Sequence, residues 1–258
     1  MSVPPTRRRL RHFGGRYDVP DGQEPSPEMI NKVFGTPADA IADVFDGATI
    51  MFGGFASAGT PTNLILALHE QGTADLTCIA NNLGLGDKLD ILCEKKQIRK
   101  MIASFAVRAA PRRPSLFELL YAEGGVELEV VPQGTLAERI RAGGAGIPAF
   151  YTPTGAGTPV ADDKETRDFD GRTYLMERAL TADFAFVRAY KADRLGNLVY
   201  RKSGRNFNEA MAMAARITIA EVEEIVEPGE LDPEHIVTPG IFVQRIVEGP
   251  AHDVRWFN

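Results

Sequence analysis

Helical and extended hydrophobic patterns alternate along the chain from about residue 36 to residue 148. Apolar residues at helical spacing mark some segments, and short runs of consecutive apolar residues mark the segments between them. The connections between the segments are short. This alternation predicts an α/β fold with an open, largely parallel sheet flanked by helices. The predicted helices are 38–45, 61–71, 86–96, 115–123 and 135–142, and the predicted strands are 48–52, 76–80, 100–105 and 126–131.

The pattern changes after the glycine cluster at residues 143–146. Asp170-Gly171 is typical of a two-residue hairpin turn, and several strand-like runs follow it. The second half is therefore predicted to be mixed or antiparallel and to close back onto the first half. The elements predicted here are strands at 174–177, 184–189, 198–201, 217–222 and 241–247, and a helix at 206–215.

The organisation into domains is simple. We predict one domain over residues 36–250, preceded by an N-terminal extension, 1–35, and followed by a short tail, 251–258. The extension carries four arginines between residues 7 and 11 without an apolar stretch behind them, which argues against a secretory signal. A surface arm that packs on a partner and a transit peptide are both compatible with it, and its early acidic residues favour the arm.

Composition excludes several classes of protein. A net charge of −6 argues against nucleic-acid binding, and no apolar run approaches the length of a membrane span. Cys78 and Cys93 lie in apolar surroundings and are interpreted as reduced core residues of a cytoplasmic protein. The four histidines lack ligand spacing, so neither a metal site nor a histidine-centred triad is predicted.

A glycine-rich loop follows the short first predicted strand, 48–52, and leads into a helix. Thr60 is predicted to cap that helix, and Pro61 suits its first position. A loop of small residues at a helix N-terminus can bind phosphate or a developing oxyanion, but a tight turn without a ligand has the same pattern. Thr60 stands where a P-loop has lysine, and the loop lacks the G-x-G-x-x-G spacing of dinucleotide sites.

Gln133 lies between the end of a predicted strand and the start of a predicted helix. Val126-Glu-Leu-Glu-Val130 alternates apolar and charged residues, Pro132 ends the strand, and Thr135-Leu-Ala-Glu138 is typical of a capping box. A carboxamide held on such a short turn can donate an N–H to a carbonyl or an oxyanion. A solvent-exposed turn glutamine fits the same spacing.

Several ordered motifs together resemble the A-type (alpha) subunit of the family I CoA-transferases, of the succinyl-CoA:3-oxoacid and acetate type. The resemblance extends from about residue 36 to residue 248 and implies a Rossmann-like CoA-transferase fold. The motifs are Gly53-Gly54-Phe55-x-x-x-Gly59-x-Pro61, Asn81-Asn82, the segment 132–146, Tyr151-Thr-Pro-Thr-Gly155, Ala192-Asp-Arg-Leu-Gly-Asn197, Arg205-Asn-Phe-Asn208 and Thr238-Pro-Gly240.

The resemblance implies a ping-pong transfer of CoA from a short-chain acyl-CoA to a carboxylic or 3-oxo acid. A glutamate attacks the thioester, and acyl-anhydride and glutamyl-CoA intermediates follow. In this family that glutamate belongs to the B-type subunit. Glu138, Glu177 and the glutamates within 221–224 lack its setting, so a B-type partner, in an A2B2 assembly, is implied. CoA is then a substrate, and no permanently bound cofactor is predicted.

The family's site residues correspond to particular positions in this chain. Gln133 matches the glutamine that helps to form the oxyanion hole. Asn82 and Asn206 are candidate supporting residues, although both are also suited to capping helices or bracing loops. The residues that match the predicted CoA-binding segment are Gly53, Gly54, Phe55, Ala56, Ser57, Ala58 and Gly59.

The resemblance breaks at residues 105–121. Arg108, Arg112 and Arg113 replace the family's usual pattern there, and they could bind a carboxylate or phosphate or form a solvated loop. This departure and the N-terminal extension leave the substrate and the choice of partner open. Two alternative functions also stay open. One is an acyl-CoA hydrolase or isomerase on the same scaffold, and the other is a non-catalytic acyl-CoA-binding homologue.

Overall fold

The core of the protein is a nine-stranded sheet with the strand order β1-β12-β11-β9-β2-β3-β4-β5, and a short strand, β10, pairs with β9. The computed structural model describes residues 31–84, 87–106 and 113–250. Every pair on the main path is parallel, and only β10 is antiparallel to its neighbour. The strands of this sheet are β1 Val33–Phe34, β2 Thr49–Phe52, β3 Leu76–Asn82, β4 Ile98–Phe105, β5 Glu127–Val130, β9 Ala182–Asp193, β10 Leu198–Val199, β11 Ala215–Val226 and β12 Arg245–Glu248.

Helices cover both faces of this sheet. All seven residues of β3 are buried, as expected for a central parallel strand with a layer on each side. Successive residues of β2 pack into two separate hydrophobic cores, one on each face of the sheet. Ile50 lies in the first core and Met51 in the second. Helices α1 to α3 contribute to the first core, and α4 and α5 to the second. The helices are α1 Pro37–Ala40, α2 Thr62–Gln71, α3 Leu116–Ala122, α4 Gln133–Gly144 and α5 Asn208–Met213.

The strand order reverses between β2 and β9. The chain leaves β2 towards β3 on one side, and it leaves β9 towards β11 on the other. In open parallel sheets, ligands bind beyond the carboxyl ends of the strands at such a switch point. The segment that follows β2 is therefore the first place to look for a site.

A separate three-stranded antiparallel sheet has the order β6-β8-β7. Its hairpin turns at Asp170 and Gly171, with φ angles of 50° and 77°, which are left-handed as a tight hairpin requires. The predicted hairpin and α/β fold class are thus confirmed. Among the strands in the described residues, antiparallel pairing occurs in this sheet and between β10 and β9. Its strands are β6 Ala149–Thr152, β7 Thr166–Phe169 and β8 Arg172–Arg178.

Two predicted helices are much shorter in the structure. The segment predicted at 38–45 is helical only at Pro37–Ala40, where Thr36 caps it by accepting from the Asp39 N–H. The segment predicted at 86–96 contains a 3₁₀ turn at Leu89–Cys93, which begins after Lys88 with φ at 62°. A left-handed residue breaks a right-handed helix, and local hydrophobic spacing does not reveal it.

The later elements also differ in their limits. The predicted strand at 241–247 begins only at Arg245, because Gly240–Phe242 forms a 3₁₀ turn. Strands β9 and β11 are much longer than predicted, and ten residue pairs join them. Residues 33–34, placed in the N-terminal extension by the sequence prediction, pair with β12 as β1.

Some predictions fall beyond the described residues. The arginine-rich arm, the tail at 251–258, Arg108 and Arg112 lie outside the described part of the chain. Within the part that is described, no helix is both long enough and apolar enough to cross a lipid bilayer.

Candidate active site

Residues 53–59, called the glycine loop below, form a compact turn at the carboxyl end of β2. The Gly53 N–H donates to the Phe186 carbonyl of β9 at 2.9 Å, which fixes the start of the loop at the switch point. Phe55 and Ala58 then exchange two backbone hydrogen bonds of 3.0 Å each. Between them Ala56 has a φ of 52°, so the loop turns back on itself within a few residues.

Close packing explains why glycine is required at particular positions. A Cβ on Gly53 would lie 1.8 Å from the Asn208 Oδ1 atom, and a Cβ on Gly59 would lie 2.5 Å from the Gly204 carbonyl oxygen. Gly54 has a φ of 122°, a conformation that side-chain-bearing residues rarely adopt. The glycines therefore allow the loop to approach the segment that precedes α5.

Three asparagine side chains hold the glycine loop. The Asn82 side chain accepts from the Ala56 N–H at 2.7 Å and donates to the Ala56 carbonyl at 3.3 Å. Asn206 donates to the Ala58 carbonyl at 2.9 Å, and Asn208 donates to the Gly59 carbonyl at 2.9 Å. The structure thus brings the predicted supporting residues Asn82 and Asn206 to the loop and adds the buried Asn208.

Part of the loop retains unused hydrogen-bond donors. Among the described residues, no group accepts from the backbone N–H of Gly54, Ser57 or Gly59. The Ser57 hydroxyl is also buried without a partner there. Polar groups near a site without protein partners are available to a ligand. The ring of Phe55 is 43% exposed and adds an apolar surface beside them.

The N-terminus of α2 is capped by a distant carboxylate. The prediction that Thr60 caps this helix is wrong, because Pro61 holds the N-cap position without any side-chain hydrogen bond. Glu221 of β11 instead accepts from the N–H groups of Asn63 and Leu64 at 2.8 and 3.1 Å. These helix N–H groups are therefore already bound to a protein anion.

Glu221 is fully buried and also pairs with the Arg188 guanidinium. Burial raises the pKa of Glu221, while the neighbouring guanidinium and the two α2 N–H groups act in the opposite direction. The Arg188 backbone N–H donates to the Asn208 side chain at 2.9 Å. The capped helix is thereby joined to the asparagine that holds Gly59.

Gln133 is half-buried and is the first residue of α4 rather than a turn residue. The predicted capping box at Thr135 and Glu138 is wrong, because the helix begins two residues earlier, after Pro132. The Gln133 Nε2 atom donates to the Asn81 Oδ1 atom at 2.7 Å. A carboxamide NH2 group has two N–H bonds, so one remains for another acceptor.

The glutamates considered from the sequence are bound to cations. Glu138 forms a two-pronged pair with Arg141 on the surface of α4. Glu177 is 2% exposed and lies 2.6 Å from the Lys164 ammonium. It belongs to β8 of the small sheet and lies 3.9 Å from the Arg139 guanidinium of α4. Neither has the setting of an accessible nucleophile.

The remaining reactive groups lie in the core. Cys78 and Cys93 are free and buried, as predicted, and burial raises the pKa of Cys93 to about 12. Over the described ranges, no three His, Cys, Asp or Glu side chains cluster so that they could hold a metal ion.

Sequence reasoning left three contributors to this region unassigned. Asp87 accepts from the Asn82 side chain at 2.6 Å, Asn208 holds Gly59, and Glu221 caps α2. Asn208 is the last residue of the Arg205-Asn-Phe-Asn208 motif, so the sequence contained a signal that could have identified it. Glu221 lies 157 residues from Leu64, and no local pattern connects the two.

Comparison with known proteins places these features in one family. The family model described as "Coenzyme A transferase" matches residues 34–249. The chain is 52% identical over 227 residues to the A-type subunit of the probable succinyl-CoA:3-ketoacid coenzyme A transferase of Bacillus subtilis (strain 168), covering 88% of this chain and 93% of that protein. It is 54% identical over 222 residues to the A-type subunit of the 3-oxoadipate CoA-transferase of Pseudomonas putida, covering 85% and 94%.

A solved structure has the same fold. The crystal structure of glutaconate coenzyme A-transferase from Acidaminococcus fermentans superposes with a TM-score of 0.74 at 24% identity, covering 85% of this chain and 76% of that one. The resemblance found in the sequence motifs is therefore confirmed over nearly the whole described region. The chain belongs to the coenzyme A transferase family and is one of its A-type subunits.

Proposed function

We propose that this chain is the A half of a CoA-transferase that moves CoA between a short-chain acyl-CoA and a 3-oxo or carboxylic acid. The observation that carries the proposal is the juxtaposition of Gln133 with the glycine loop at the carboxyl edge of the sheet. Three hydrogen bonds, through Asn81 and Asn82, join the Gln133 side chain to the Ala56 N–H. One half of an acyl-transfer site is thus assembled on this chain.

The nucleophile in this scheme is a glutamate of a B-type partner. Its carboxylate adds to the thioester carbonyl, and collapse of the tetrahedral intermediate expels the CoA thiolate and leaves an acyl-glutamyl anhydride. The thiolate then attacks the glutamyl carbonyl of the anhydride, which gives glutamyl-CoA and the first free acid. The second acid reverses these steps and leaves as its CoA ester.

Gln133 stabilises the oxyanions in these steps. The Nε2–H that is not donated to Asn81 is free to bind the negative oxygen of each tetrahedral intermediate. This interaction strengthens as charge develops, so it lowers the barrier more than it strengthens substrate binding.

The glycine loop is the proposed contact for CoA. The Gly54, Ser57 and Gly59 N–H groups and the Ser57 hydroxyl are donors that no group in the described part of the chain accepts from. Because Glu221 occupies the N–H groups at the start of α2, the loop rather than the helix end supplies donors here.

The names of the similar proteins suggest the acids. The Bacillus subtilis relative is named for succinyl-CoA and a 3-ketoacid, and the Pseudomonas putida relative for 3-oxoadipate. We therefore propose a 3-oxo acid as acceptor, an A2B2 assembly with the B-type partner, and a cytoplasmic location that suits two free cysteines.

The test is transferase activity of the chain mixed with a B-type partner. Gln133→Ala should lower kcat by about 10²–10³-fold while leaving the melting temperature nearly unchanged. Gln71→Ala, which removes an exposed helical glutamine from α2, is the matched control and should retain kcat. An unchanged kcat in Gln133→Ala, with a lowered melting temperature, would make Gln133 a structural residue.

The same assay separates the alternatives. Release of CoA without any acceptor acid would indicate a hydrolase, and conversion of one acyl-CoA into another without an acceptor would indicate an isomerase. Binding of acyl-CoA without turnover in any assembly would indicate a non-catalytic homologue.

A further inference from the structure

We propose that Asn81, Asn82 and Asp87 form a polar relay that fixes which end of the Gln133 carboxamide faces the reacting carbonyl. The inference rests on the proposed oxyanion role of Gln133 and assigns positioning roles to residues beneath it. Asn81, Asn82 and Asp87 are all buried, with 1%, 4% and 4% exposure. Buried amides in direct contact restrict each other's orientation.

The relay is a continuous chain of short hydrogen bonds. Gln133 Nε2 donates to Asn81 Oδ1 at 2.7 Å, and Asn81 Nδ2 donates to Asn82 Oδ1 at 2.8 Å. Asn82 Nδ2 then donates to Asp87 Oδ2 at 2.6 Å. All three bonds run in the same direction, with each NH2 group facing the acceptor of the next residue.

Both anchors of the relay have a fixed polarity. Asp87 offers acceptor oxygens, and its other oxygen accepts from the backbone N–H groups of Gly84 and Leu89 at 3.2 and 2.9 Å. The Ala56 N–H can only donate, and it donates to Asn82 Oδ1 at 2.7 Å. These two contacts leave Asn82 a single favourable orientation.

That orientation is transmitted to Gln133. Since Asn82 presents its oxygen to Asn81, Asn81 must present its NH2 group to Asn82 and its oxygen to Gln133. Gln133 must then keep its NH2 group on the side that faces the Asn81 oxygen. The oxygen and nitrogen of an amide are nearly equal in size, so without the relay the Gln133 side chain could turn over. A turned amide would present its oxygen, which repels an oxyanion.

The relay also couples the two parts of the proposed site on this chain, Gln133 and the glycine loop. The asparagine that orients Asn81 is the one that holds both the N–H and the carbonyl of Ala56 in the glycine loop. The orientation of Gln133 and the shape of the loop therefore depend on the same buried side chain.

The test is a double-mutant cycle between Asn81→Leu and Gln133→Ala, assayed as transferase activity of the chain with its B-type partner. Asn81→Leu keeps the approximate shape of the side chain and removes the acceptor of Gln133. We expect it to lower kcat about tenfold, within the loss caused by Gln133→Ala, and to leave the KM for acyl-CoA unchanged. The double variant should match Gln133→Ala alone, because residues that act through one group are not independent.

The matched control is Asn197→Leu. Asn197 is a half-buried amide that donates to the Asp193 carboxylate at 2.7 Å and accepts from the Gly240 N–H at 2.8 Å, but it lies outside the relay. Any effect that it has should multiply with that of Gln133→Ala. Asp87→Asn, which removes the acceptor-only anchor, is the second relay variant and keeps the test decisive if Asn81→Leu does not fold. Its kcat loss should also vanish in the Gln133→Ala background.

The outcomes separate this inference from the proposed function. If Gln133→Ala lowers kcat but the relay variants leave kcat unchanged, or their effects multiply with it, the relay is refuted and the oxyanion role stands. If Gln133→Ala itself leaves kcat unchanged, the oxyanion role is refuted, and the relay with it.

Discussion

Replacement of Glu221 by glutamine should destabilise the protein strongly, although the two side chains have almost the same shape. Glu221 is completely buried, and both of its oxygens are in use. Oε2 accepts from the Asn63 and Leu64 N–H groups at the start of α2, and Oε1 accepts from the Asn63 side chain and from Arg188. In a glutamine, one of these two positions would carry an NH2 group. That NH2 group would face two hydrogen-bond donors at either position.

The magnitude follows from this geometry. Two buried donors left unsatisfied cost about 1–3 kcal/mol each, and breaking a buried ion pair by removing one partner costs about 3–5 kcal/mol. Arg188 has Glu223 as a second carboxylate, at 3.8 Å, which offsets part of its loss. We therefore expect Glu221→Gln to lower the free energy of unfolding by about 3–5 kcal/mol.

Urea denaturation followed by far-UV circular dichroism measures this change, with all variants at the same protein concentration. Glu224→Gln is the matched control from the same strand, since its carboxylate is half-exposed and pairs with Lys191 at 2.7 Å. That variant should lose less than about 1 kcal/mol. A loss below about 1 kcal/mol in Glu221→Gln as well would refute the view that this carboxylate caps α2 and neutralises Arg188.

Three further predictions concern the loop, the surface and the core. Gly54→Val should raise the KM for acyl-CoA, because a Cβ there would lie 2.8 Å from the Thr60 hydroxyl oxygen and the φ of 122° disfavours valine. Steady-state kinetics that show an unchanged KM would contradict this prediction. Arg245 lowers the pKa of Asp43, so their pair should add less than about 1 kcal/mol above the usual carboxyl pKa of about 4, and this contribution should shrink as the pH falls below that value. Comparing the unfolding free energy of Asp43→Asn with that of the native chain at neutral and at acidic pH checks this, and a difference that does not shrink in acid would disprove it. Cys93, whose pKa burial raises to about 12, should resist iodoacetamide at pH 8 until urea is added, and mass spectrometry showing rapid labelling of the native chain would count against its burial.

Local pattern was sufficient to predict the architecture and the edge of the sheet at which the candidate site residues lie. The alternation of helix and strand signals predicted the parallel sheet, and the segments that follow β2, β3 and β5 do meet at its carboxyl edge. Gln133 was predicted from such a strand end and Asn82 from the ordered motifs, and hydrogen bonds through Asn81 connect them. This worked because strand direction alone determines which loops share an edge.

Features that depend on distant residues could not be predicted in this way. Thr60 satisfies the local rule for a helix cap, but Glu221 takes that role from a strand more than 150 residues away. The capping box at Thr135 failed because α4 starts immediately after Pro132, whose backbone is not helical. The Thr135 hydroxyl is instead buried without a partner among the described residues. Local rules identify residues that are able to cap, whereas tertiary packing decides which of them do so.

The most direct test of the proposed division of labour is the location of the covalent intermediate. The chain is incubated with succinyl-CoA or acetyl-CoA, alone and together with a B-type partner, and both chains are examined by mass spectrometry. We predict a glutamyl-CoA adduct only in the mixture and only on the partner. An adduct on this chain, with or without the partner, would mean that the nucleophile lies here and would contradict the account.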